Sequence, residues 1–492
     1  MIALAARHLQ SLRRRDFVAG AAFIDGRWIV GDQRDVVVDP ATGEEIADVA
    51  RCSASDMDLA IAAAERSFGA WRDLLPSRRG EILRSWASLM RDCSEELAIL
   101  VTAEQGKPLA EARHEIVYGA GFLDWFAAEG ERAYGETIPS HKPASLLHVR
   151  KQAIGVAAAI TPWNFPVAMI TRKAGAALAA GCPIIVKPAP ETPLSALAVA
   201  RLAEEAGLPR GVFQVLVGDP VALSAPLLRD TRVRALSFTG STQVGRLLLE
   251  GAAETVKKVS LELGGHAPFL VFDDVDLHKA VKGAMDAKFA TSGQDCLAAN
   301  RIYVQRGIYG DFVEAFAAAM AQLEVGHGLE PTTDIGPMTK LSVASKCKAQ
   351  IDDAAARGAQ VMSAKQGERL GPNFVSPTLL AKVTDSMLIA REETFGPVAA
   401  VLPFDTEEEV VARTNTSEMG LAAYVYTDSL RRALRLSESI ECGMVGINTA
   451  SFTGPPIPFG GWKQSGLGRE GSRHGIDEYM ELKYVCFGDL AA

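Results

Sequence analysis

Seven cysteines are scattered along the 492 residues, at positions 52, 93, 182, 296, 347, 442 and 486. One of them, Cys296, stands in the stretch TSGQDCLAAN (291–300), between a Ser-Gly turn and an alanine-rich step. A free cysteine has a pKa of about 8.5, so only a few per cent is the reactive thiolate at neutral pH unless its surroundings help. The partners have to come from elsewhere in the chain. Asn164 in TPWNFP (161–166) sits between two prolines that stiffen its loop. A side-chain amide aimed at a carbonyl oxygen is half of an oxyanion hole, worth roughly 3 kcal/mol when preorganised. Taken alone, Asn164 more simply caps a helix starting near Val167. Glu262 in LELGG (261–265) lies among apolar residues. A carboxylate there is either paired or held for proton transfer with a raised pKa, and its rarity puts function first.

Three further stretches could hold a ligand. FTGSTQVGR (238–246) places Gly240 and Ser241 where a strand gives way to a helix, with Gly245 one turn in. Glycine admits a phosphate close to the backbone, and a helix N-terminus offers free N–H groups. The pattern is not G-x-G-x-x-G, so a plain strand-to-helix turn is an equal reading of it in isolation. Lys187 opens KPAPETP (187–193) at a strand end, where it could reach a ribose or phosphate or be an ordinary surface lysine. Glu393 in EETFGP (392–397) closes a helical stretch before a Gly-Pro turn and is unremarkable alone.

The elements that must position these residues follow one rhythm. Short apolar strands at 153–160, 183–187, 212–218, 233–238 and 258–265 alternate with amphipathic helices, such as those at 167–180 and 193–206. That alternation predicts a doubly wound parallel sheet, which binds ligands at the carboxyl ends of its strands. Asn164, Lys187, Gly240 and Glu262 all fall at such ends. A second α/β rhythm runs from 267 through strands at 301–305, 398–404, 422–427 and 444–448. A Gly- and Pro-rich loop follows over 449–469, and 478–488 reads as a strand outside both sheets, free to pair with 144–150 or with another subunit.

Composition narrows the class. Hydrophobic content of 48% and charged content of 23% are those of a globular chain, and 492 residues exceed one hydrophobic core. A net charge of −9, with no basic run longer than Arg13-Arg14-Arg15, argues against nucleic acid as a partner. No window reaches the about 18 apolar residues of a membrane span. Dispersed cysteines without C-x-x-C or zinc spacing suit a reducing compartment, so the cytoplasm is expected and no metal is. The first residues, MIALAARHLQSLRRRDF, read as a short solvated helix and not a signal peptide.

Together TPWNFP, KPAPETP, FTGSTQVGR, LELGG, GQDC, EETFGPV and PFGGWKQSGLGRE resemble, in order and across nearly the whole chain, the aldehyde dehydrogenase superfamily. The stretches MITRKAGAALAAGCP (169–183) and GREGSRHGIDEYMELKYVCFG (468–488) are similar to its succinate-semialdehyde dehydrogenase branch. The resemblance implies an α/β fold in three parts. These are a doubly wound cofactor domain (1–129 and 151–263), an α/β catalytic domain (264–469) and a small β oligomerisation element (130–150 and 470–492). It implies NAD or NADP as cofactor, an aldehyde as substrate and a homodimer or homotetramer. Cys296 would be the nucleophile, Asn164 with the Cys296 N–H the oxyanion hole, and Glu262 the base that activates water. Lys187 and Glu393 would hold the two riboses, with Pro188, Ala189 and Pro190 in the turn beside the adenosine. Gly240 and Ser241 would lie by the pyrophosphate, Trp163 and Leu263 along the cofactor path, and Phe395 at the nicotinamide end.

Three positions depart from the pattern. Pro190 stands where NAD-preferring members often carry Glu and NADP-preferring ones a small polar residue. Arg172 matches one of the two arginines that grip the substrate carboxylate in the branch. The second falls on Ala290, and the accompanying serine falls near Thr453-Gly454. Losing one guanidinium removes a bidentate partner for an anion. Ala298, two after the nucleophile, rules against a local disulfide. The expected activity is oxidation of a short semialdehyde such as succinate semialdehyde; glutarate semialdehyde and an uncharged or aromatic aldehyde are the alternatives.

Overall fold

The computed structural model describes residues 4–364 and 367–490, so residues 1–3 and 491–492 of the expected terminal ranges lie outside it. Its first sheet holds eight strands, five of them parallel at the centre: Phe213–Val215, Ile184–Lys187, Val156–Ile160, Val233–Thr239 and Lys258–Glu262, in that spatial order. Numbered along the chain, these run 3-2-1-4-5. The Val156–Ile160 strand is buried throughout, as a run of apolar residues covered on both faces by helices must be. Residues 153–155, expected within it, belong instead to the preceding strand Leu146–Ala153 and a turn at Gly155.

The helix Ala168–Ala180 is buried at all 13 positions, which its small alanines permit, and it ends at Gly181 in the left-handed conformation (φ 96°). It packs with the long helices Pro76–Asp92 and Leu109–Glu129 in one core. The N-terminal helix Leu4–Ser11 is present but not wholly solvated: Ala5 and Leu9 are buried in that core. Ala5 and Leu9 stand four residues apart and so share one face of the helix.

The second sheet has seven strands around its own core, six of them parallel, from Thr378–Ala381 through Ala267–Val271 to Met444–Ile447. The stretch 449–469, expected as a loop, contains two short strands, because it crosses back between sheets: Trp462–Lys463 pairs with Met419–Gly420, and Gly466–Leu467 with Lys258–Glu262 at the edge of the first sheet. The strand Met480–Phe487 then pairs antiparallel with Leu146–Ala153, with Glu136–Ile138 as a third strand. Among the described residues no helix is long and apolar enough to cross a membrane.

Candidate active site

The strand order reverses between Val156–Ile160 and Val233–Thr239, and a doubly wound sheet opens a crevice at such a point. A cleft of about 760 Å³ lies there. Trp163 and Asn164, after the first of these strands, line it, as do Gly240 and Ser241 after the second. Cys296 and Arg172 line it as well.

The loop that carries Cys296 is wound unusually. Thr291 (φ 51°), Ser292 (φ 57°) and Gly293 (φ 74°) are all left-handed in succession. A Cβ on Gly293 would lie 2.3 Å from the Gly396 carbonyl oxygen, so only glycine fits. Gly265 is equally constrained, since a Cβ there would stand 2.1 Å from the Cys296 carbonyl oxygen. This explains the second glycine of LELGG. Burial, followed by the adjacent Asp295, pushes the Cys296 thiol well above its ordinary pKa. The Cys296 backbone N–H has no acceptor among the described residues.

Asn164 does not cap a helix. Its Nδ2 donates to the Gln294 carbonyl (3.1 Å), across the cleft floor toward the cysteine loop. The N–H groups of Val167 and Ala168, which a cap would satisfy, instead donate to Glu115 Oε1 at 2.9 and 3.2 Å. Glu115 Oε2 accepts from Lys107 Nζ (2.7 Å), and the same ammonium donates to the Asn164 carbonyl (2.6 Å). Lys107 also lies 4.0 Å from the centre of the Phe165 ring. Neither side chain of this ion pair is exposed. A buried pair of this kind contributes little stability beyond an apolar substitute, but losing one partner strands a charge. Its consequence here is geometric, because it pins the asparagine loop.

Glu262 is 2% exposed and neither carboxylate oxygen has a hydrogen-bond partner among the described residues. It does not line the cleft itself, whereas the two residues that follow it, Leu263 and Gly264, do. Burial, then the nearby Glu470, raises its pKa well above the ordinary carboxyl value. A Cβ on Gly460 would come within 2.9 Å of Glu262 Oε1, so glycine leaves the carboxyl its space. Glu470 itself stays below the usual range: burial opposes its charge, but Lys173 and Arg172 outweigh it. Lys173 Nζ donates to Glu470 Oε1 and to Ser237 Oγ (3.0 Å), and Arg172 Nε stands 2.7 Å from Glu470 Oε2 as an ion pair without hydrogen-bond alignment. Arg172 is therefore already committed. Its Nη2 contacts Met169 Sδ and its guanidinium stacks 4.2 Å from the Phe459 ring centre. Thr453 lines the cleft; Gly454, next along the chain, does not.

On the other side the surfaces suit a dinucleotide. Trp163 and Phe395 meet edge to face at 5.3 Å, with Phe395 held at φ 59°. Ser241 caps the helix Thr242–Ala253, whose first turn faces the crevice. A Cβ on Gly245 would lie 2.3 Å from Leu263, so the helix packs tightly against this wall. Glu393 Oε1 accepts from the Gly265 N–H (3.0 Å), and burial pushes its carboxyl up to about 7. Lys187 lies farther out, buried and without an ion-pair partner among the described residues; burial brings its pKa down to about 8. Pro188 and Ala189 are buried beside it, whereas Pro190 is exposed. A helix N-terminus and the Trp163–Phe395 pair at the crevice, with the buried ammonium of Lys187 at the neighbouring strand end, fit a nicotinamide dinucleotide.

Several residues of the site had no role in the sequence reading. Lys107 and Glu115 are separated from Asn164 by long stretches, and nothing in their spacing marks them. Glu111 and Tyr118, on the helix Leu109–Glu129, line the substrate side. Asp295 and Glu470 stood inside the quoted motifs without an assignment.

The aldehyde dehydrogenase family model matches residues 28–485. The chain is 54% identical over 473 residues, 96% of each chain, to the non-phosphorylating aspartate-semialdehyde dehydrogenase of Halomonas elongata. It is 51% identical over 471 residues, 95% of this chain and 97% of the other, to the 3-sulfolactaldehyde dehydrogenase of Pseudomonas putida. The crystal structure of succinate-semialdehyde dehydrogenase from Burkholderia pseudomallei superposes with a TM-score of 0.96 at 48% identity, over 97% of this chain and 100% of that one. A cysteine, an asparagine and a buried glutamate gathered at the crevice of a dinucleotide-type sheet thus sit in a chain that belongs to the aldehyde dehydrogenase family, whose members are NAD(P)-dependent oxidoreductases.

Proposed function

We propose that the protein oxidises a short aldehyde bearing an anionic group, succinate semialdehyde or a close relative, to the carboxylate, using NAD or NADP. The observation that carries this is the convergence of Cys296 and Asn164 on one cleft, with the unpartnered Glu262 next to the lining residue Leu263. The Cys296 thiolate adds to the aldehyde carbon, and the oxyanion formed is held by Asn164 Nδ2 and the Cys296 N–H. Bound NAD(P) supplies the hydride acceptor that converts the thiohemiacetal to a thioester. Glu262, desolvated and so basic, takes a proton from water as the water adds to the thioester carbon. The C–S bond then breaks, the carboxylic acid leaves as its carboxylate and the thiol is restored.

Lys187 with Pro188, Ala189 and Pro190 would flank the adenosine ribose, Gly240 and Ser241 the pyrophosphate, and Glu393 the second ribose. Trp163 and Leu263 would line the cofactor path, with Phe395 at the nicotinamide end. Aspartate semialdehyde, 3-sulfolactaldehyde and succinate semialdehyde share an aldehyde a few carbons from an anion, which supports the substrate class. Arg172 Nη1 and Thr453 are the groups available to that anion. The deciding experiment follows NAD(P)H absorbance with succinate semialdehyde, glutarate semialdehyde and butanal, each with NAD and with NADP. The carboxylated aldehydes should exceed butanal in kcat/KM; equal values would remove the anionic class and leave an uncharged aldehyde.

The domain ranges 1–129 with 151–263, 264–469, and 130–150 with 470–492 describe the same reading at the level of the chain. The three-stranded sheet of the last part exposes Leu482, Tyr484 and Phe487, which supports assembly into a homodimer or homotetramer. Light scattering at micromolar concentration should report more than one subunit.

A further inference from the structure

Two carboxyl groups face the substrate side of the cleft and take no part in the chemistry above, Asp295 and Glu111. Each is oriented by one backbone N–H. Asp295 Oδ1 accepts from Leu297 (2.9 Å), and Glu111 Oε2 from Thr291 (2.7 Å). Asp295 also faces the Cys296 thiol, and no other side chain donates to it among the described residues. The cations nearby are engaged elsewhere: Lys107 with Glu115 and the Asn164 carbonyl, Arg172 with Glu470. Ala290 lines the same wall and brings no counter-charge. Burial raises both carboxyls, Glu111 to about 7, and outweighs the pull of Lys107 on each.

A purely anionic aldehyde would enter this space with one partly committed arginine in its favour and two carboxyls against it. An aldehyde that also carries an ammonium divides its charges between the two sides. Its carboxylate faces Arg172 Nη1 and the Tyr118 and Thr453 hydroxyls, and its ammonium faces Asp295. We propose that Asp295, with Glu111 beside it, receives an ammonium group of the substrate, and that the preferred substrates are short aldehydes bearing both an ammonium and a carboxylate. This rests on aldehyde oxidation at Cys296. It also gives the acidic neighbour of the nucleophile a purpose: a carboxylate beside a thiol opposes thiolate formation, and a bound ammonium offsets it.

The test compares kcat/KM for 2-amino-4-oxobutanoate and 4-oxobutanoate, which differ only in the amino group, in the wild type, Asp295→Asn and Glu111→Gln. The amino compound should lead by about tenfold or more in the wild type, with that ratio falling by about tenfold in Asp295→Asn and less in Glu111→Gln. A wild-type ratio of one or below, or a ratio unmoved by Asp295→Asn, overturns the assignment. If both compounds fail while butanal is oxidised, the anionic substrate class fails instead. A measurement on the wild type alone stands beside these variants. L-homoserine should inhibit oxidation at least about tenfold more tightly than 4-hydroxybutanoate, and equal inhibition counts against the ammonium site.

Discussion

The two halves of the cleft are built by opposite means. The cofactor side leans on the main chain, with strand ends, the Ser241-capped helix and close-packed glycines at 245 and 265 behind a lining of Trp163, Leu263 and Phe395. The substrate side is made by side chains from the helix Leu109–Glu129, from Arg172 and from Thr453, facing the cysteine loop that begins with the left-handed run 291–293. A surface made of backbone accepts most sequences that keep the fold, so one cofactor site can serve a family. A surface made of side chains changes with each substitution, and there this chain keeps Arg172 but carries Ala290 and Asp295.

The largest effects should fall where the two halves meet. Cys296→Ala should lower turnover by roughly 10³-fold or more while NAD(P) binding, followed by fluorescence titration, persists. Retained turnover would place the nucleophile elsewhere. Glu262→Gln should spare acylation and slow hydrolysis by about 10²- to 10³-fold, so a burst of NAD(P)H followed by a slow phase is the expected trace. Because protonation of Cys296 stops acylation and burial raises its pKa, kcat/KM should climb as pH rises from 6 to 9; protonation of Glu262 stops hydrolysis, so kcat should climb over the same range. A flat kcat/KM profile would mean the Cys296 thiol does not titrate there in the free enzyme.

Lys107→Met tests whether the hidden ion pair acts through Asn164. It should cut kcat by about 10²-fold through displacement of the oxyanion loop, with KM for the cofactor little changed. It should also cost about 3–5 kcal/mol of stability by stranding Glu115, measurable as a drop in Tm; the double variant Lys107→Met with Glu115→Gln, whose amide oxygen can still accept from Val167 and Ala168, should recover most of the Tm but not the kcat. The smallest effect belongs to the cofactor side. Lys187→Ala should raise KM for the cofactor about tenfold or less and leave kcat near its normal value.

What could be read from the chain divides along the same line. Strand rhythm located the central sheet to within three residues at each strand end, and Val398–Phe404 matched its expected span. The misplaced start of the Val156–Ile160 strand arose because Ala153 and Ile154 are as apolar as the strand they precede; only Gly155, at φ 137°, marks the break. Cys296, Asn164 and Glu262 were visible because each stands in a short run beside a strand end. Lys107, Glu115 and Glu470 were not. Their significance depends on where a buried charge finds its counter-charge, and hydropathy carries no record of that. Asn164 shows the limit from the other direction: its helix-capping alternative was chemically sound, but Glu115 occupies the N–H groups it would have used.

The chain's return to the first sheet has a practical consequence for anyone shortening this protein. Glu470, which anchors Arg172 and Lys173 beside Glu262, is followed closely by the outer strand Met480–Phe487. A cut placed to remove that strand also loosens the segment that carries Glu470, since Lys258 on the first sheet tethers it by donating to the Asp477 and Met480 carbonyls at 2.5 and 3.2 Å. Trimming the C-terminus is therefore an operation on the reactive centre.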